Sequence, residues 1–211
     1  MKNVYYYMKS NNKQLIMDAT FTLSLKHGFD NVSIKQIQEE AGVSPGTIYY
    51  YFKSKDEILE YMLNKYIMDS FHQFKEKVKE FDGSFNERLN FIFRYESGNL
   101  VTKEEGFPYG LARPKITYKD YFILITSIHH RYREFSTGHK LHNEIFNFCH
   151  ELVEEAVEKN EIRDDIDIKK IAVFIHTTLK GYIGLLVYQP EVTIDELVEY
   201  NMELIWEAIK K

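Results

Sequence analysis

The sequence is poor in the features that mark most other classes of protein. Its 211 residues hold one cysteine, Cys149, so no disulfide can close within the chain. It has only 4 prolines, which leaves long stretches free to be helical. No apolar run reaches the ~18 residues of a membrane span. The N-terminal stretch MKNVYYYMKSNNK lacks the apolar centre of a secretory signal. These absences predict a cytoplasmic protein. The nucleophile elbow GxSxG, the P-loop, the HExxH pair and the dinucleotide-binding glycine fingerprint are all missing. That argues against an enzyme and gives no cofactor to look for. Histidines gather between positions 129 and 150, and His139 and His142 stand three apart, but zinc signatures repeat such pairs and no second pair follows. No metal site is expected, and a lone cysteine such as Cys149 reads as a small buried hydrophobe.

What the chain does have is hydrophobic content of 44%, with 16 Tyr and 15 Phe. Apolar residues recur at the 3.6-residue period over most of its length, which predicts an all-α fold with a substantial core. The net charge of −5 is unevenly spread. Up to Lys55 there are seven lysines and four carboxylates, an excess of +3, so the remainder carries −8 within the total of −5. A small positive unit joined to a larger acidic one suits a protein that meets phosphate with one end only.

The most informative stretch is SIKQIQEEAGVSPGTIYYYF, residues 33–52. Ser33 with Gln36 forms a capping box, and Ile34, Ile37 and Ala41 give the helix after it one apolar face. Gly42 can take the left-handed conformation that ends a helix. Ser44 is the next N-cap, and Pro45 sits at the first helical position, where proline is tolerated. In that second helix Ile48 and Phe52 point inward with Tyr51 beside them. Gly46 and Tyr50 then fall on the far side, with Thr47 and Tyr49 on the flanks. This is a helix-turn-helix whose second helix offers small and hydrogen-bonding groups, as one that enters a major groove does. Gly46 favours that reading, because glycine in a helix costs roughly 1 kcal/mol relative to alanine and fits where a second surface must come close.

With these residues in place, the chain from Ile16 to Leu59 resembles the N-terminal domain of a TetR-family transcriptional regulator. The resemblance is carried by IMDAT (16–20), HGFDNVSI (27–34), IQEEAGVSPGTIYYYF (37–52) and KSKDEIL (53–59). Ser24 stands where an aromatic is common and Gln38 where a small residue is common. The resemblance implies a helix-turn-helix DNA-binding domain over residues 1–58 and a helical effector-binding and dimerisation domain over 59–211. The expected DNA-binding residues are Ser33, Lys35, Ser44, Pro45, Gly46, Thr47, Tyr49, Tyr50, Lys53 and Lys55. Lys55 is expected as a phosphate anchor in the first turn of the helix that Ser54 and Glu57 would open with a capping box.

Along the rest of the chain, residues 1–12 read as a mobile arm and the first helix runs from about Lys13 to Lys26. The helix after Lys55 is expected to continue to Phe81, and Ser84 with Glu87 caps the next. Residues 101–117 read as an irregular loop, and 118–135 and 138–160 as helices. A further helix from Ile168 stops at Gln189-Pro190. Thr193 with Glu196 caps the last one.

The resemblance implies a homodimer held by the last two helices. Residues expected there are Ile171, Ile175, Leu179, Tyr182, Ile183, Leu186, Leu197, Asn201, Leu204, Ile205 and Ala208. It also implies a pocket in the middle helices, with Phe91, Tyr95, Tyr109, Phe122, His129, Phe146, Cys149 and His176 as candidate lining. The expected function is a homodimeric repressor that leaves a palindromic double-stranded DNA operator when a small hydrophobic or aromatic effector binds. A DNA-binding protein whose second domain grips a protein partner is the alternative.

Overall fold

A computed structural model describes residues 2–98, 124, 128, 136–188 and 191–211, and among them regular structure is entirely helical. The order is α1 Lys2–His27, a 3₁₀ turn Phe29–Asn31, α2 Ile34–Ala41, α3 Pro45–Tyr51 and α4 Lys55–Leu63. A π-helical turn Asn64–Met68 leads into α5 Asp69–Glu80, followed by α6 Phe85–Gly98. The numbering continues with α7 Ser136–Glu158, α8 Ile168–Tyr188 and α9 Ile194–Ile209. Two compact units emerge. One holds the residues up to Ser70 together with Leu124 and Ile128, the other residues 71–98 and His139–Lys211. The boundary between the compact units falls at 70–71.

In the first unit α1 packs on α2, α3 and α4. Ile16, Phe29, Ile37, Ile48, Phe52, Ile58, Leu59 and Met62 are all buried to within 1% of full enclosure. Each such side chain contributes about 1.5–3 kcal/mol by leaving water, so Ile37→Ala or Ile48→Ala should cost about 2–5 kcal/mol. Two polar residues share this core without penalty. Thr20 and Ser24 donate their hydroxyl hydrogens to the carbonyls of Ile16 and Thr20, at 2.7 and 2.6 Å. Ser24 thus fits where an aromatic is common because its one donor is satisfied within its own helix.

Three departures from the expected boundaries have local causes. The N-terminal residues expected as an arm belong to α1, which starts at Lys2 rather than near Lys13; no proline or glycine interrupts them. The helix after Lys55 is not one uninterrupted α-helix to Phe81. Its described buried positions run Ile58, Leu59, Met62, Leu63, Tyr66, Met68 and then Phe71, Phe74, Val78. The i→i+5 turn Asn64–Met68 sets one extra residue between α4 and α5. Tyr66 is held in this turn by stacking on Phe21, with centroids 4.7 Å apart, and by the Gln14 amide, which donates to its hydroxyl at 2.7 Å. Lastly, Ser54 caps α4 by accepting from Glu57 N, but the Glu57 carboxylate reaches Lys53 N rather than Ser54 N, so the reciprocal half of the box is displaced by one residue.

In the second unit α6 packs on α8 and α9. Phe81, Phe91, Tyr95, Phe74, Phe148 and Phe71 form a continuous chain of ring contacts with centroids 4.7–6.0 Å apart. Arg88 is buried and forks to Glu155 at 2.9 Å and Glu161 at 3.3 Å, tying α6 to the end of α7. The Lys159 ammonium first, and Arg88 second, hold the Glu155 carboxyl below its ordinary range. Ser84 with Glu87 and Thr193 with Glu196 cap α6 and α9 as expected. No described helix is long and apolar enough to cross a membrane.

Candidate nucleic-acid interface

The helix-turn-helix is built by three caps. Ser33 Oγ accepts from Gln36 N at 3.2 Å while Gln36 Oε1 accepts from Ser33 N at 2.8 Å, completing the box at the start of α2. Gly42 ends that helix at φ 63, ψ 32, a backbone conformation costly for residues with a Cβ. Ser44 Oγ accepts from Thr47 N at 3.3 Å at the start of α3, with Pro45 behind it. With both ends of the turn fixed, burial of Ile48 and Phe52 sets the rotation of α3.

That rotation leaves Tyr49 and Tyr50 outward, 61% and 63% exposed, on a helix whose other large side chains turn in. Pro45 and Gly46 are also exposed, and Thr47 is half-buried. A Cβ added to Gly46 would approach only Ser44 Oγ, at 3.9 Å. Nothing among the described residues requires glycine there. Tyr51 turns the other way, into a groove of about 420 Å³ lined also by Lys13, Gln14, Met17, Tyr61 and Lys65.

Around α3 the cations fall into two kinds. Lys53 is exposed, and Lys35 is exposed with only a loose 3.9 Å pairing to Glu39, worth at most about 1 kcal/mol and readily exchanged for a phosphate. Lys55 differs. Its ammonium donates to the carbonyls of Val32 at 2.7 Å, Phe29 at 2.9 Å and Asp30 at 3.3 Å, and lies 4.4 Å from the centroid of the Phe29 ring. The side chain expected to reach outward as a phosphate anchor is committed inward. The reason is local: the end of the 3₁₀ turn exposes carbonyls with no helical partner, and a cation satisfies them.

Five of the pocket candidates lie among the described residues. Phe91 and Tyr95 belong to the aromatic chain of the second unit, whereas Phe146 pairs with His150 and His176 with His142. Cys149 is buried. Burial, and then the Lys180 charge, hold His176 below the ordinary imidazole range. Its Nε2 is enclosed and finds no hydrogen-bond partner among the described residues. Tyr109, Phe122 and His129, with the loop and helix expected around them, lie outside the described residues. Among the described residues no three His, Cys, Asp or Glu stand close enough to hold a metal.

The residues expected at a dimer contact divide in two. Ile175, Leu197 and Ile205 are buried inside the unit and serve its own core. Ile171, Leu179 and Asn201 are half-buried, and the Asn201 amide donates to Leu197 O at 2.7 Å. Leu204 and Ala208 are exposed. The side chains of Tyr182, Ile183 and Leu186 lie outside the described residues. Exposed apolar residues that the sequence reading missed are Val173, Phe174, Leu185, Tyr188 and Tyr200. Phe174, Leu185 and Tyr188 recur at helical spacing on α8 with exposed Gly181 between them, a second stripe that periodicity could have revealed.

Residues 16–62 match the family model for bacterial regulatory proteins of the tetR family. Over its length the chain is 20% identical to the transcriptional repressor KstR2 of Rhodococcus jostii, across 95% of this chain and 92% of that one. Among solved structures, a transcriptional regulator of Saccharomonospora viridis in complex with choline matches with a TM-score of 0.75 at 19% identity, covering 96% of this chain and 99% of that one. The regulator FadR of Bacillus subtilis in complex with stearoyl-CoA matches with a TM-score of 0.64 at 19% identity, covering 91% and 96%. At these identities the structural matches establish the fold.

Proposed function

We propose that this chain, a TetR-family transcriptional regulator, is a homodimeric repressor that a small apolar or aromatic ligand releases from a palindromic operator. The observation that carries the DNA-reading part is the face of α3. Two tyrosines more than 60% exposed stand about one turn beyond a helix start where Gly46 has open space. Tyr49, Tyr50 and Thr47 read base edges, the backbone at Pro45 and Gly46 lies close to the duplex, and Lys35 and Lys53 meet phosphates. Ser33 and Ser44 act by fixing the helix starts that carry these groups.

The exposed residues Phe174, Gly181, Leu185 and Tyr188 on α8 and Tyr200 and Leu204 on α9 support the dimer reading. Exposed apolar residues on two neighbouring helices suit cover by a second copy. Two readers about 34–36 Å apart then meet successive major grooves. For the effector, the aromatic chain around Phe91 and Tyr95 favours an apolar ligand, and the unpartnered Nε2 of His176 offers one hydrogen bond to it. The acyl-CoA ligand of the FadR relative is in keeping with that chemistry.

The test is selection of bound fragments from the source genome by the purified protein at physiological salt. Recovery of a palindrome that Tyr50→Ala no longer selects supports the reading. Absence of any enriched sequence removes it. Release of the recovered duplex by acyl-CoAs or aromatic acids separates the ligand-responsive form from one in which the second unit holds a protein partner.

A further inference from the structure

The groove into which Tyr51 turns belongs wholly to the first unit. Its volume of about 420 Å³ is toward the small end of the range for ligand sites, about 300–1,000 Å³. That space suits one or two fused rings better than a long chain. Tyr51, the last residue of α3, and Tyr61 of α4 give it aromatic walls, and buried Met17 gives it an apolar one. Tyr61 is held edge-on against the buried Phe52, with centroids 5.7 Å apart. The hydroxyls of Tyr51 and Tyr61 and the side-chain carbonyl of Gln14 take no hydrogen bond among the described residues.

The charged groups lining the groove are Lys13, Lys65 and Asp69, an excess of one positive charge. The Lys13 ammonium lies 3.5 Å from the centroid of the Tyr61 ring and 5.5 Å from that of Phe52. No carboxylate pairs with it among the described residues. A cation placed over an aromatic face and left without an anion is ready to receive one. A cationic ligand would instead have to displace Lys13 from the Tyr61 ring and meet the positive excess. We propose that this groove is a second small-molecule site, on the DNA-binding unit, for a planar aromatic anion of the aryl carboxylate class. The ring packs against Tyr51, Tyr61 and Met17, and the carboxylate accepts from the Lys13 ammonium. Asp69 lines the same groove and weakens the site by repulsion. This site is separate from the effector pocket proposed above, whose candidate residues belong to the second unit.

The experiment titrates the full-length protein, labelled at its methionine methyl groups, with 2-naphthoate and follows the methyl resonances by NMR. Met17 reports the groove, and Met202 on α9 reports the second unit. The expected result is a saturable shift of Met17 at probe concentrations up to about 10 mM, where a site of ~1 mM affinity is nearly full. Lys13→Gln should weaken binding at Met17 about fivefold, and Asp69→Asn should tighten it about threefold. Tyr61→Leu should weaken it by a factor of about 2–10. The matched cation 2-naphthylmethylammonium and inorganic phosphate should each bind more weakly than naphthoate. An unmoved Met17, or a shift confined to Met202, would overturn the proposal. So would a Met17 affinity indifferent to both Lys13→Gln and Asp69→Asn, or equal binding of the ammonium probe. No DNA enters the measurement, so its outcome stands apart from that of the operator selection.

Discussion

The hydroxyl of Thr47 lies 2.8 Å from Ser44 Oγ, the same oxygen that accepts the Thr47 amide at 3.3 Å. The side chain that begins the reading face of α3 is therefore oriented by the residue that caps it. Ser44→Ala should lower stability by about 1 kcal/mol and also weaken operator binding. Thr47→Ala should leave the cap in place and relax discrimination at one base position by about 1–3 kcal/mol. Chemical denaturation and binding to operators mutated one base pair at a time separate the two. Equal specificity of Thr47→Ala and wild type would remove Thr47 from the reading face.

Gly46 gives a prediction in which stability and binding move in opposite directions. Its Cβ position is open, so Gly46→Ala should be neutral to stabilising, by up to roughly 1 kcal/mol, and should raise Tm. The added methyl then stands between backbone and duplex, and operator affinity should fall. A variant that is both more stable and equally tight would show that the glycine has no role in close approach.

The outward stripe of α8 and α9 makes a prediction for assembly. Phe174→Glu and Leu204→Glu each place a charge on exposed apolar surface, 44% and 64% accessible in the single chain. Neither should unfold it. Both should shift light scattering toward monomer and reduce operator affinity, and Gly181→Leu should do the same by filling space where helices approach. Persistence of a dimer in all three would place the interface elsewhere.

Asp18 predicts a pH dependence. Burial raises its carboxyl above the ordinary 3.8, opposed in part by the Gln14 hydrogen bond and the Lys65 charge. The folded state then holds this proton more tightly than the unfolded state. Its contribution to stability is fully present below 3.8 and is lost as pH rises through the raised value. Asp18→Asn retains an acceptor for Gln14 and carries no charge, so it should be more stable than wild type at neutral pH. The difference in Tm between the two should shrink as pH falls toward 3.8. A constant difference across that window would contradict the assignment.

Local chemistry was the legible part of this chain. Ser33 with Gln36, Gly42, Ser44 with Pro45, and Thr193 with Glu196 act within four residues of themselves, and each does in the structure what its spacing implies. The role of Lys55 was not legible, because its partners lie 23–26 residues earlier in the chain. The π turn Asn64–Met68 was hidden because a helix with one residue too many still looks amphipathic. In α8 and α9 apolar residues occur on two faces. Ile175 and Phe174 are adjacent and equally hydrophobic, yet one is core and the other is surface; only packing against α6 separates them.

The central claim is that the exposed face of α3 reads sequence. Fluorescence anisotropy of wild type and Tyr50→Ala, on the selected palindrome and on a scrambled duplex at one salt concentration, tests it most directly. The account predicts that wild type prefers the palindrome by a factor on the order of 10³ or more, and that Tyr50→Ala loses most of that preference while binding scrambled DNA as before. Equal wild-type affinity for the two duplexes would contradict it.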